Sequence, residues 1–368
     1  MQSPFRLLAL LAISLCFAAF EVNAENLKIG TTLALSGPYA TMGRQALQGM
    51  QMAVEEVNAN GGVKGRQVQL LVDDFGDFDL KKAVTATRKF IDVDKIELLF
   101  PLIVEDAEAI VPIASRKPVF SMIVGCGARK CGTNLGSYNV RAPSSHDLII
   151  KRLVNYASSK KIKHACVVAA ESTYYAAYGE LISELSKAEG QKVTYQTVPY
   201  SNTDDYRSIA TKFARSDCDA IYAWIPIGSA GAFFKRVREN GSSALILSTV
   251  ETDDPQVLTT AGYAAEGVIF SRFSVGTPEF QKKYMEKFHE LPSRPAIPSY
   301  DGVKLLLDLA AQVGTDPNSL KNAIVQIKNR AATNGTISYT ADGERTGEDV
   351  ELMQIKNGKP VEVTLERF

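Results

Sequence analysis

The sequence predicts an α/β protein with two doubly wound parallel-sheet lobes. Apolar runs typical of buried strands alternate with segments of helical periodicity from residue 27 to residue 249. Alternation at this interval indicates a parallel sheet with helices on both faces. The chain has 368 residues, of which 45% are hydrophobic, and a chain of this length favours two cores of about 150 residues each.

The first strand, helix and second strand form the unit on which the predicted site depends. Residues 27–35 are rich in Thr, Ile and Leu and predict a buried strand that ends at Ser36-Gly37-Pro38. A helix follows, and Asn60-Gly61-Gly62 ends it before a second strand at 67–74. Such units are right-handed and bind ligands at the carboxyl ends of their strands, so residues 36–43 are expected at that edge.

The same alternation predicts the other elements. In the first lobe we expect helices at 79–91 and 105–115, strands at 96–100 and 119–124, and a loop at 125–136. In the second lobe we expect helices at 147–159, 176–188, 204–215 and 229–240, and strands at 165–169, 192–198, 220–224 and 244–249. Later helices are expected near 278–289, 298–313 and 317–327. Residues 336–339 and 350–355 alternate as half-exposed strands do, and Asn357-Gly358 predicts a hairpin turn before 360–365.

Residues 1–24 are expected to be a secretory signal peptide. Arg6 precedes an apolar run at 7–20, and Val22-Asn23-Ala24 presents small residues at a cleavage position. A membrane anchor is the alternative, but the run is shorter than the roughly 20 residues that a spanning helix needs. We therefore expect export, with cleavage before Glu25.

Composition and motifs argue against several classes of function. The 41 basic and 41 acidic side chains balance, which does not favour binding to nucleic acid or to an anionic membrane surface. The cysteines and the three histidines lack CxxC and HxxxH spacing, so no metal site is expected. The sequence contains no GxSxG, GxxxxGK[ST] or HExxH motif, so we expect neither an enzyme nor a cofactor.

Export would place the cysteines where disulfides form. Cys126 and Cys131 enclose a short loop, and we expect a local disulfide between them. Cys166 and Cys218 each begin an apolar strand. They are expected to be either two buried small side chains or a second bridge.

A family resemblance appears in residues 31–74, TTLALSGPYATMGRQALQGMQMAVEEVNANGGVKGRQVQLLVDD. This stretch has a strand ending in SGP, a helix ending in NAxGG and a strand ending in Asp-Asp. It resembles the Leu/Ile/Val-binding family of type I periplasmic binding proteins, the solute receptors of bacterial ABC importers. A weaker resemblance covers almost all of the remaining mature chain.

The resemblance implies two lobes joined by a three-segment hinge. Lobe 1 is expected at 25–142 and 274–335, and lobe 2 at 143–273 and 336–368, with the terminal strands at the edge of its sheet. The first two crossings are expected near 138–144 and 267–273. A hinge of this kind allows two rigid lobes to close over a ligand.

In the first lobe, the family holds an amino acid's carboxylate with N–H groups and hydroxyls of two loops. Here these loops read LIVEDAEAI and GCGARKCG, so the usual Ser and Thr side chains are missing. Arg129 is either a solvated loop charge or a bidentate replacement for these hydroxyls. Glu105 and Asp106 are either the acidic first turn of a helix or groups that meet a cationic or amide-bearing ligand. Backbone amides remain candidates for the carboxylate, namely those of Cys126, Gly127 and Ala128.

In the second lobe, the resemblance places Tyr174 over the ligand, followed by Tyr175 and Tyr178. A tyrosine offers an apolar face and one hydroxyl, although packing beneath the next helix is the alternative for each. Trp224 ends a strand where the family often has an aromatic or small polar residue. Glu251 is expected to pair with the ligand's ammonium group, and Asp253 is the second choice.

The first loop supplies the last candidates, Ser36, Tyr39 and Met42. The resemblance aligns Met42 with a residue that lines the side-chain pocket. Together with Tyr39, Tyr174 and Trp224, it predicts room for an aliphatic or aromatic side group.

The resemblance therefore implies an exported receptor that binds a small amino acid, or a related carboxylate or amide, between its lobes. It would deliver this solute to an inner-membrane ABC permease from the periplasm, as a monomer. A ligand sensor of the same fold that signals to a regulatory partner is the main alternative. A hydrolase that uses Glu105, Asp106 or Glu251 as a base is a third possibility.

Overall fold

Two β-sheets covered by helices organise the residues that the computed structural model describes, which are 25–37, 39–76, 79–128, 131, 135–200 and 203–363. The strands are β1 (Leu27–Leu33), β2 (Val68–Asp74), β3 (Leu98–Phe100), β4 (Phe120–Ile123), β5 (Asn139–Arg141), β6 (His164–Glu171), β7 (Lys192–Pro199), β8 (Ala220–Trp224), β9 (Leu245–Ser248), β10 (Ile269–Phe273), β11 (Arg330–Ala331), β12 (Thr336–Tyr339), β13 (Arg345–Thr346), β14 (Val350–Lys356) and β15 (Lys359–Glu362). The helices are α1 (Ala40–Ala59), α2 (Leu80–Lys89), α3 (Val104–Arg116), α4 (Asp147–Ser159), α5 (Thr173–Ala188), α6 (Thr203–Ala214), α7 (Ile227–Glu239), α8 (Pro255–Ala261), α9 (Pro278–Phe288), α10 (Ala296–Val313) and α11 (Pro317–Val325). The expected signal peptide at 1–24, Arg129 and residues 364–365 of the expected last strand lie outside the described residues.

The first lobe contains a parallel sheet with the strand order β2-β1-β3-β4-β5. Buried side chains cover both of its faces. One cluster includes Leu27, Phe100 and Leu306, and the other includes Phe90 and Leu99. Apolar clusters on both faces confirm the doubly wound arrangement that the sequence predicts.

The second lobe contains a seven-stranded sheet with the order β15-β14-β10-β9-β8-β6-β7. Strands β6 to β10 run parallel, whereas β14 and β15 pair antiparallel at one edge. Phe233 and Phe270 are buried on one face of this sheet, and Leu153 and Tyr222 on the other. It is therefore also a doubly wound unit.

Three segments of the chain pass between the two sheets, at 142–146, 274–277 and 347–349. They contact each other directly. The Ser274 N–H donates to the Asp349 carbonyl at 2.9 Å, and the Ser144 N–H donates to the Glu348 carboxylate. This is the three-segment connection that the resemblance implied.

The tail differs from the expectation that residues from 336 onward join the second lobe. Strand β12 pairs with the short strands β11 and β13 in a separate small sheet. Its Ile337 and Tyr339 side chains are buried in the first-lobe core, and the Tyr339 hydroxyl donates to the Arg141 carbonyl at 2.8 Å. Only β14 and β15 join the second sheet, because the period-2 pattern of β12 identifies a strand but not the core that it covers.

Helix α5 begins earlier than the sequence pattern indicates. The Ser172 hydroxyl accepts a hydrogen bond from the Tyr175 N–H at 3.1 Å and so caps the helix at its first turn. This cap adds Thr173, Tyr174 and Tyr175 to the helix, and the two tyrosines lie at the interface between the lobes. No helix in the described part of the chain has the length and apolar character needed to cross a bilayer.

Candidate functional site

A cavity of about 630 Å³ lies between the two lobes. The first lobe contributes the loop after β1, the start of α3, the loop after β4 and the start of α10. The second lobe contributes the ends of β6, β7 and β10 and the turn after β9. These are mainly the carboxyl ends of parallel strands, where open α/β sheets bind ligands. The volume lies in the range of small-molecule sites.

The cavity lining contains eight of the ten residues predicted to bind a ligand, namely Tyr39, Met42, Glu105, Cys126, Gly127, Ala128, Tyr174 and Glu251. The other two lie elsewhere. Ser36 is exposed, and its hydroxyl hydrogen-bonds to Asp74. Trp224 is 1% exposed and packs in the second-lobe core beside Tyr178. Its strand ends at the cavity side, but its side chain points into the core beneath α5.

The two acids at the start of α3 have different environments. Asp106 is fully buried, and its carboxyl accepts hydrogen bonds from the N–H groups of Leu102 at 2.9 Å and Ile103 at 2.8 Å. Burial raises the pKa of Asp106 to about 7 despite these bonds. Glu105 lines the cavity, whose walls desolvate the Glu105 carboxyl and raise its pKa. Asp106 is therefore the helix cap, and Glu105 is the acid that faces the cleft.

The loop after β4 presents backbone groups to the cavity. The Gly127 carbonyl accepts from the His146 N–H at 2.9 Å and from the Tyr178 hydroxyl at 2.7 Å. The Ala128 carbonyl accepts from the Arg141 guanidinium at 2.7 Å. The loop thus uses its carbonyls to bind the rest of the protein. For the N–H groups of Cys126, Gly127 and Ala128 we find no acceptor among the described residues, and such groups are candidates for binding an anion.

Cys126 and Cys131 lie at the base of this loop, with their sulfurs at bonding distance and their Cα atoms 6.1 Å apart. Both are buried in a small apolar cluster beneath the loop. Tyr174 of the second lobe packs against the same cluster. The predicted pairing therefore lies directly under the candidate anion site.

His146 links this loop to the aromatic wall of the second lobe. Its Nδ1 atom lies 2.7 Å from the Tyr174 hydroxyl, and its ring packs against Tyr178 and Phe273. Burial, together with the positive charges of Arg294 and Arg141, lowers the pKa of His146 to about 3. The ring is therefore neutral at physiological pH and serves as a packed hydrogen-bonding partner.

Tyr174 and Tyr175 form the wall of the cavity on the second-lobe side. Their rings meet edge to face, with centroids 4.9 Å apart. Burial, followed by the nearby Glu251 carboxylate, raises the pKa of both hydroxyls well above their usual range. They stay protonated and can donate hydrogen bonds. Tyr178 is 1% exposed and is a core residue instead.

An ion pair joins the lobes at the polar end of the cavity. The Arg294 guanidinium, from the segment before α10, donates to Glu251 Oε1 of the second lobe at 3.4 Å. Glu251 Oε2 is buried and has no hydrogen-bond partner among the described residues. Asp253, the second choice for an ammonium partner, is paired with Arg272 at 2.5 Å and does not line the cavity.

A tyrosine pair joins the lobes at a second point of the wall. The hydroxyls of Tyr39 in the first lobe and Tyr200 in the second lie 2.9 Å apart. Tyr200 is 41% exposed, so this contact lies near solvent. The two lobes therefore touch on more than one side of the cavity.

A comparison with known families identifies the architecture. A family model described as "Periplasmic binding protein" matches residues 26–360, which is most of the chain. The chain belongs to the periplasmic binding protein family. It is a type I member from the branched-chain amino acid group, and proteins of this family are solute receptors rather than enzymes.

Individual relatives of this periplasmic binding protein agree with the family match. A curated relative, Leu/Ile/Val-binding protein homolog 7 of Brucella melitensis, is 26% identical over 97% of this chain and 96% of its own length. The crystal structure of the leucine-binding protein LivK of Thermotoga maritima has a TM-score of 0.80 at 22% identity, covering 92% of this chain and 98% of LivK. A solute-binding protein of Rhodopseudomonas palustris, in complex with 3,4-dihydroxybenzoic acid, has a TM-score of 0.79 at 20% identity, covering 92% and 96%. At these identities the two structures establish the shared fold alone.

Several cavity residues of this periplasmic binding protein do not follow from its sequence patterns, namely His146, Glu171, Tyr200, Phe273, Arg294, Asn334 and Glu348. Most lie on crossings or on loops outside the strand–helix alternation. Arg294 sits between prolines in the short segment that follows α9. The one available signal was its position just before a helix start, which does not by itself indicate a ligand.

Cys166 and Cys218 of the second lobe also lie at bonding distance, with Cα atoms 5.8 Å apart. They form a group with His164 whose donor atoms lie within 4.8 Å of one another. His164 Nδ1 is 2.9 Å from the Asp217 carboxylate, and its Nε2 is 2.9 Å from the Thr194 hydroxyl. Of the two alternatives left open by the sequence, the geometry favours the bridge.

Proposed function

We propose that this periplasmic binding protein is the exported receptor of an ABC importer. It binds a small amino acid, or a related carboxylate or amide, in the cavity between the lobes. It delivers this solute unchanged to an inner-membrane permease. Residues 1–24 direct its export and are removed before Glu25, and the oxidising compartment maintains the Cys126–Cys131 and Cys166–Cys218 disulfides.

The observation that carries this proposal is the Glu251 carboxylate at the cavity. Its Oε2 atom is buried without a partner among the described residues. An unpaired buried carboxylate oxygen is unfavourable, and an ammonium group that donates to it would remove this penalty. Glu251 is therefore assigned as the acceptor for the ligand's ammonium group.

The aromatic and backbone groups supply the remaining contacts. Cys126, Gly127 and Ala128 line the cavity from the first lobe, and their N–H groups are assigned to the ligand's carboxylate. Tyr174 and Tyr175 face the cavity from the second. A solute that touches both sides binds the closed arrangement more tightly than the open one, and this difference shifts the protein toward closure.

A ligand screen tests the proposal. Purified protein would be unfolded and refolded to remove any bound solute and then screened by thermal shift against the proteinogenic amino acids, amides and aromatic acids. We expect at least one amino acid to raise the melting temperature in a concentration-dependent manner. A second sample, purified without unfolding, would be denatured and its released solute identified by mass spectrometry. This solute should belong to the same chemical class as the compounds that stabilise the refolded protein, and it should be recovered unchanged. Chemical conversion of the compound would contradict a receptor function.

The Glu251→Gln variant tests the assigned contact. It should weaken an ammonium-bearing ligand by about 2 kcal/mol or more, because the buried ammonium loses its charged partner. Asp253→Asn is the matched control, since Asp253 lies in the same turn but is paired with Arg272 outside the cavity. Calorimetric titration of the three proteins would measure the effect. Equal affinity in all three would place the ammonium contact elsewhere.

A further inference from the structure

A group of sulfur and nitrogen donors lies in the second lobe, at the end of the sheet opposite the cavity. His164 and Cys166 are the first and third residues of β6 and therefore lie on the same face of the sheet. Cys218 lies two residues before β8, the strand that pairs with β6. The cavity is at the carboxyl ends of these strands, whereas the group is at their amino ends, and none of its three members lines the cavity. The group is therefore separate from the candidate solute site.

The donor atoms of the three side chains converge. They lie within 4.8 Å of one another, His164 Nε2 is 3.9 Å from the Cys166 sulfur, and the two sulfurs are at bonding distance. A tetrahedral zinc ion, with Zn–S and Zn–N distances of about 2.3 and 2.0 Å, holds such ligand atoms about 3.5–3.8 Å apart. The nitrogen is therefore already close to the spacing of a zinc ligand, and only the sulfurs need to separate.

Asp217 lies beside the other nitrogen of the His164 ring. Its carboxylate is 2.9 Å from Nδ1, a buried atom that has no well-aligned hydrogen bond among the described residues. A carboxylate that keeps the proton on Nδ1 leaves the lone pair of Nε2 for a metal, and metal-binding histidines commonly have such a partner. The Thr194 hydroxyl, 2.9 Å from Nε2, is the contact that a metal would replace. The acid is thus an observation, independent of the cysteines, that points to a metal.

The group has a short path to solvent. Cys166 and His164 are 1% and 6% exposed and Cys218 is 9% exposed, but the neighbouring Ser216 and Asp217 are exposed. The Ser216 hydroxyl lies 2.8 Å from the Cys218 sulfur and 3.9 Å from the Cys166 sulfur. A metal ion can therefore enter beside Ser216, where water can complete its coordination.

We propose that His164, Cys166 and Cys218 bind Zn²⁺ when the bridge between the two cysteines is reduced. A dithiol reductant passes two electrons and two protons to the bridge, the S–S bond breaks, and the reductant becomes a disulfide. Zn²⁺ then forms one bond to each sulfur and one to Nε2, and the two thiol protons pass to solvent. Water fills the fourth position. The disulfide and the metal are thus alternative links between the same two strands.

The donor set favours zinc over harder cations. Two thiolates neutralise Zn²⁺, so the buried centre has no net charge to be desolvated. Thiolate and imidazole ligands also select Zn²⁺ over Mg²⁺ and Ca²⁺, which prefer oxygen. The Cys126–Cys131 pair has no comparable surroundings, because among the described residues only the group of Cys166 and Cys218 brings three His, Cys, Asp or Glu donors this close together.

Zinc would restore the link that reduction breaks. Cys166 and Cys218 are 52 residues apart in the sequence, which is why CxxC and HxxxH spacing does not reveal the group. Their link joins β6 to the segment that enters β8. Because the free energy of metal binding to a native site adds to the free energy of folding, Zn²⁺ should stabilise the reduced protein and leave the oxidised protein unchanged.

Metal titration of the oxidised and reduced protein tests the site. The protein would be unfolded with a phosphine reductant, which becomes the phosphine oxide by taking an oxygen atom from water, and refolded without oxygen. Free thiols would be counted, and the protein would be titrated with Co²⁺, whose absorption spectrum reports thiolate ligation and tetrahedral geometry. Zn²⁺ would then displace the Co²⁺. We expect one Co²⁺ per reduced chain, none per oxidised chain, and a melting temperature that Zn²⁺ raises only in the reduced protein.

Single variants assign the ligands. Cys218→Ser and His164→Gln should each weaken Zn²⁺ binding by at least about 100-fold, because loss of a ligand costs more than loss of its outer partner. Asp217→Asn should weaken binding by about 10-fold and leave the Co²⁺ spectrum tetrahedral, as expected of a positioning residue. His289→Asn and Glu266→Gln are the matched controls, since both residues are exposed and lie outside the group. Both should bind Zn²⁺ as wild type does.

Three results would overturn the proposal. The first is reduced wild type without a thiolate-to-cobalt charge-transfer band. The second is Zn²⁺ binding that is unchanged in Cys218→Ser, because the reduced Cys126 and Cys131 would then be the ligands. The third is a reduced chain that stays unfolded both with and without Zn²⁺, since a native zinc site should stabilise the fold. Solute binding by the oxidised protein is a separate measurement, so the receptor function is tested independently.

Discussion

Asp106 shows how one buried side chain supports the site without touching the cavity. Its carboxyl accepts from the N–H groups of Leu102 and Ile103 and lies 3.3 Å from the Thr32 hydroxyl. It thereby joins β1, the end of β3 and the start of α3. These contacts position the turn that carries Glu105 into the cavity.

The Asp106→Ala variant should be markedly destabilised. The change leaves the buried N–H group of Leu102 and the partly buried N–H group of Ile103 without acceptors, which should lower the free energy of unfolding by about 2–4 kcal/mol. Glu105→Ala is the matched control, since its carboxyl caps neither N–H group, and it should change stability by less than about 1 kcal/mol. Urea unfolding would measure both. Equal losses in the two variants would contradict the capping role.

His146 should make stability depend on pH. Its pKa in the folded protein is about 3, below the usual 6.5, so between these values the unfolded chain binds a proton that the folded protein does not. The His146 contribution to the free energy of unfolding therefore falls as pH decreases from 6.5 to 3, by about 1.4 kcal/mol per pH unit. Asp106 acts in the opposite direction. Its folded pKa is about 7 against a usual 3.8, so its contribution falls as pH rises from about 4 to 7.

Comparison of variants isolates the His146 contribution. Relative to wild type, His146→Gln should gain stability progressively as pH is lowered from 6.5 to 4, because the penalty of the neutral buried imidazole is removed. His289→Asn is the control, since His289 is an exposed residue with positive φ, which Asn tolerates. Unfolding curves at a series of pH values would measure the differences. A stability difference between His146→Gln and wild type that does not vary with pH would show that His146 is already charged in the folded protein.

Helices α1 and α10 pack closely, and Gly49 makes this possible. A Cβ atom at Gly49 would overlap the Ala296 carbonyl at the start of α10. Gly43 has the same relation to the Ala34 carbonyl at the end of β1. Both glycines lie in the helix that the sequence predicts, but their role depends on a partner that a local pattern does not reveal.

The Gly49→Ala variant should therefore lose stability although alanine favours helices. Backbone overlap should outweigh the helix propensity gain and cost about 1–3 kcal/mol. Gly228→Ala provides the control, because Gly228 lies in α7 with no atom near the added methyl group; it should be neutral or slightly stabilising. Thermal melting would compare the two. The idea would be wrong if Gly49→Ala melted at or above the temperature of Gly228→Ala.

The secondary structure elements were largely predictable because each is a local pattern. The strand–helix alternation gives β1 to β4 and β6 to β9 with the helices between them, since buried faces impose periods of 2 and 3.6 on the sequence. Short elements without such a period were missed, including α8 and β13. The placement of β12 was wrong for a different reason, because Ile337 and Tyr339 fit an apolar core in either lobe.

The site was predictable where it lies on strand ends. Tyr39, Glu105, Tyr174 and Glu251 follow strands or helix starts and line the cavity as expected; their contact with a ligand stays a prediction. Trp224 was placed at a strand end too, but its side chain points into the core, because alternate residues of a strand face opposite sides. Arg294 lies in an irregular segment after the second crossing. It lines the cavity because of how this segment packs in three dimensions, which a helix or strand pattern in the sequence does not reveal.

In the molecule as a whole, the two lobes are connected by three crossings and by contacts across the cavity. Tyr39 meets Tyr200 at 2.9 Å, Gly127 meets Tyr178 at 2.7 Å and Arg294 meets Glu251 at 3.4 Å. Tyr174 also packs against the apolar cluster around Cys126. A bound solute would add contacts to both sides.

Small-angle X-ray scattering with and without solute tests closure around a ligand most directly. The protein would be stripped of ligand by refolding and measured alone and with a saturating amount of the amino acid that gives the largest thermal shift. The radius of gyration should fall on addition of the amino acid, and the liganded curve should match the described arrangement. An identical curve in both states, with binding demonstrated by calorimetry in the same buffer, would contradict the claim that the lobes close on a solute.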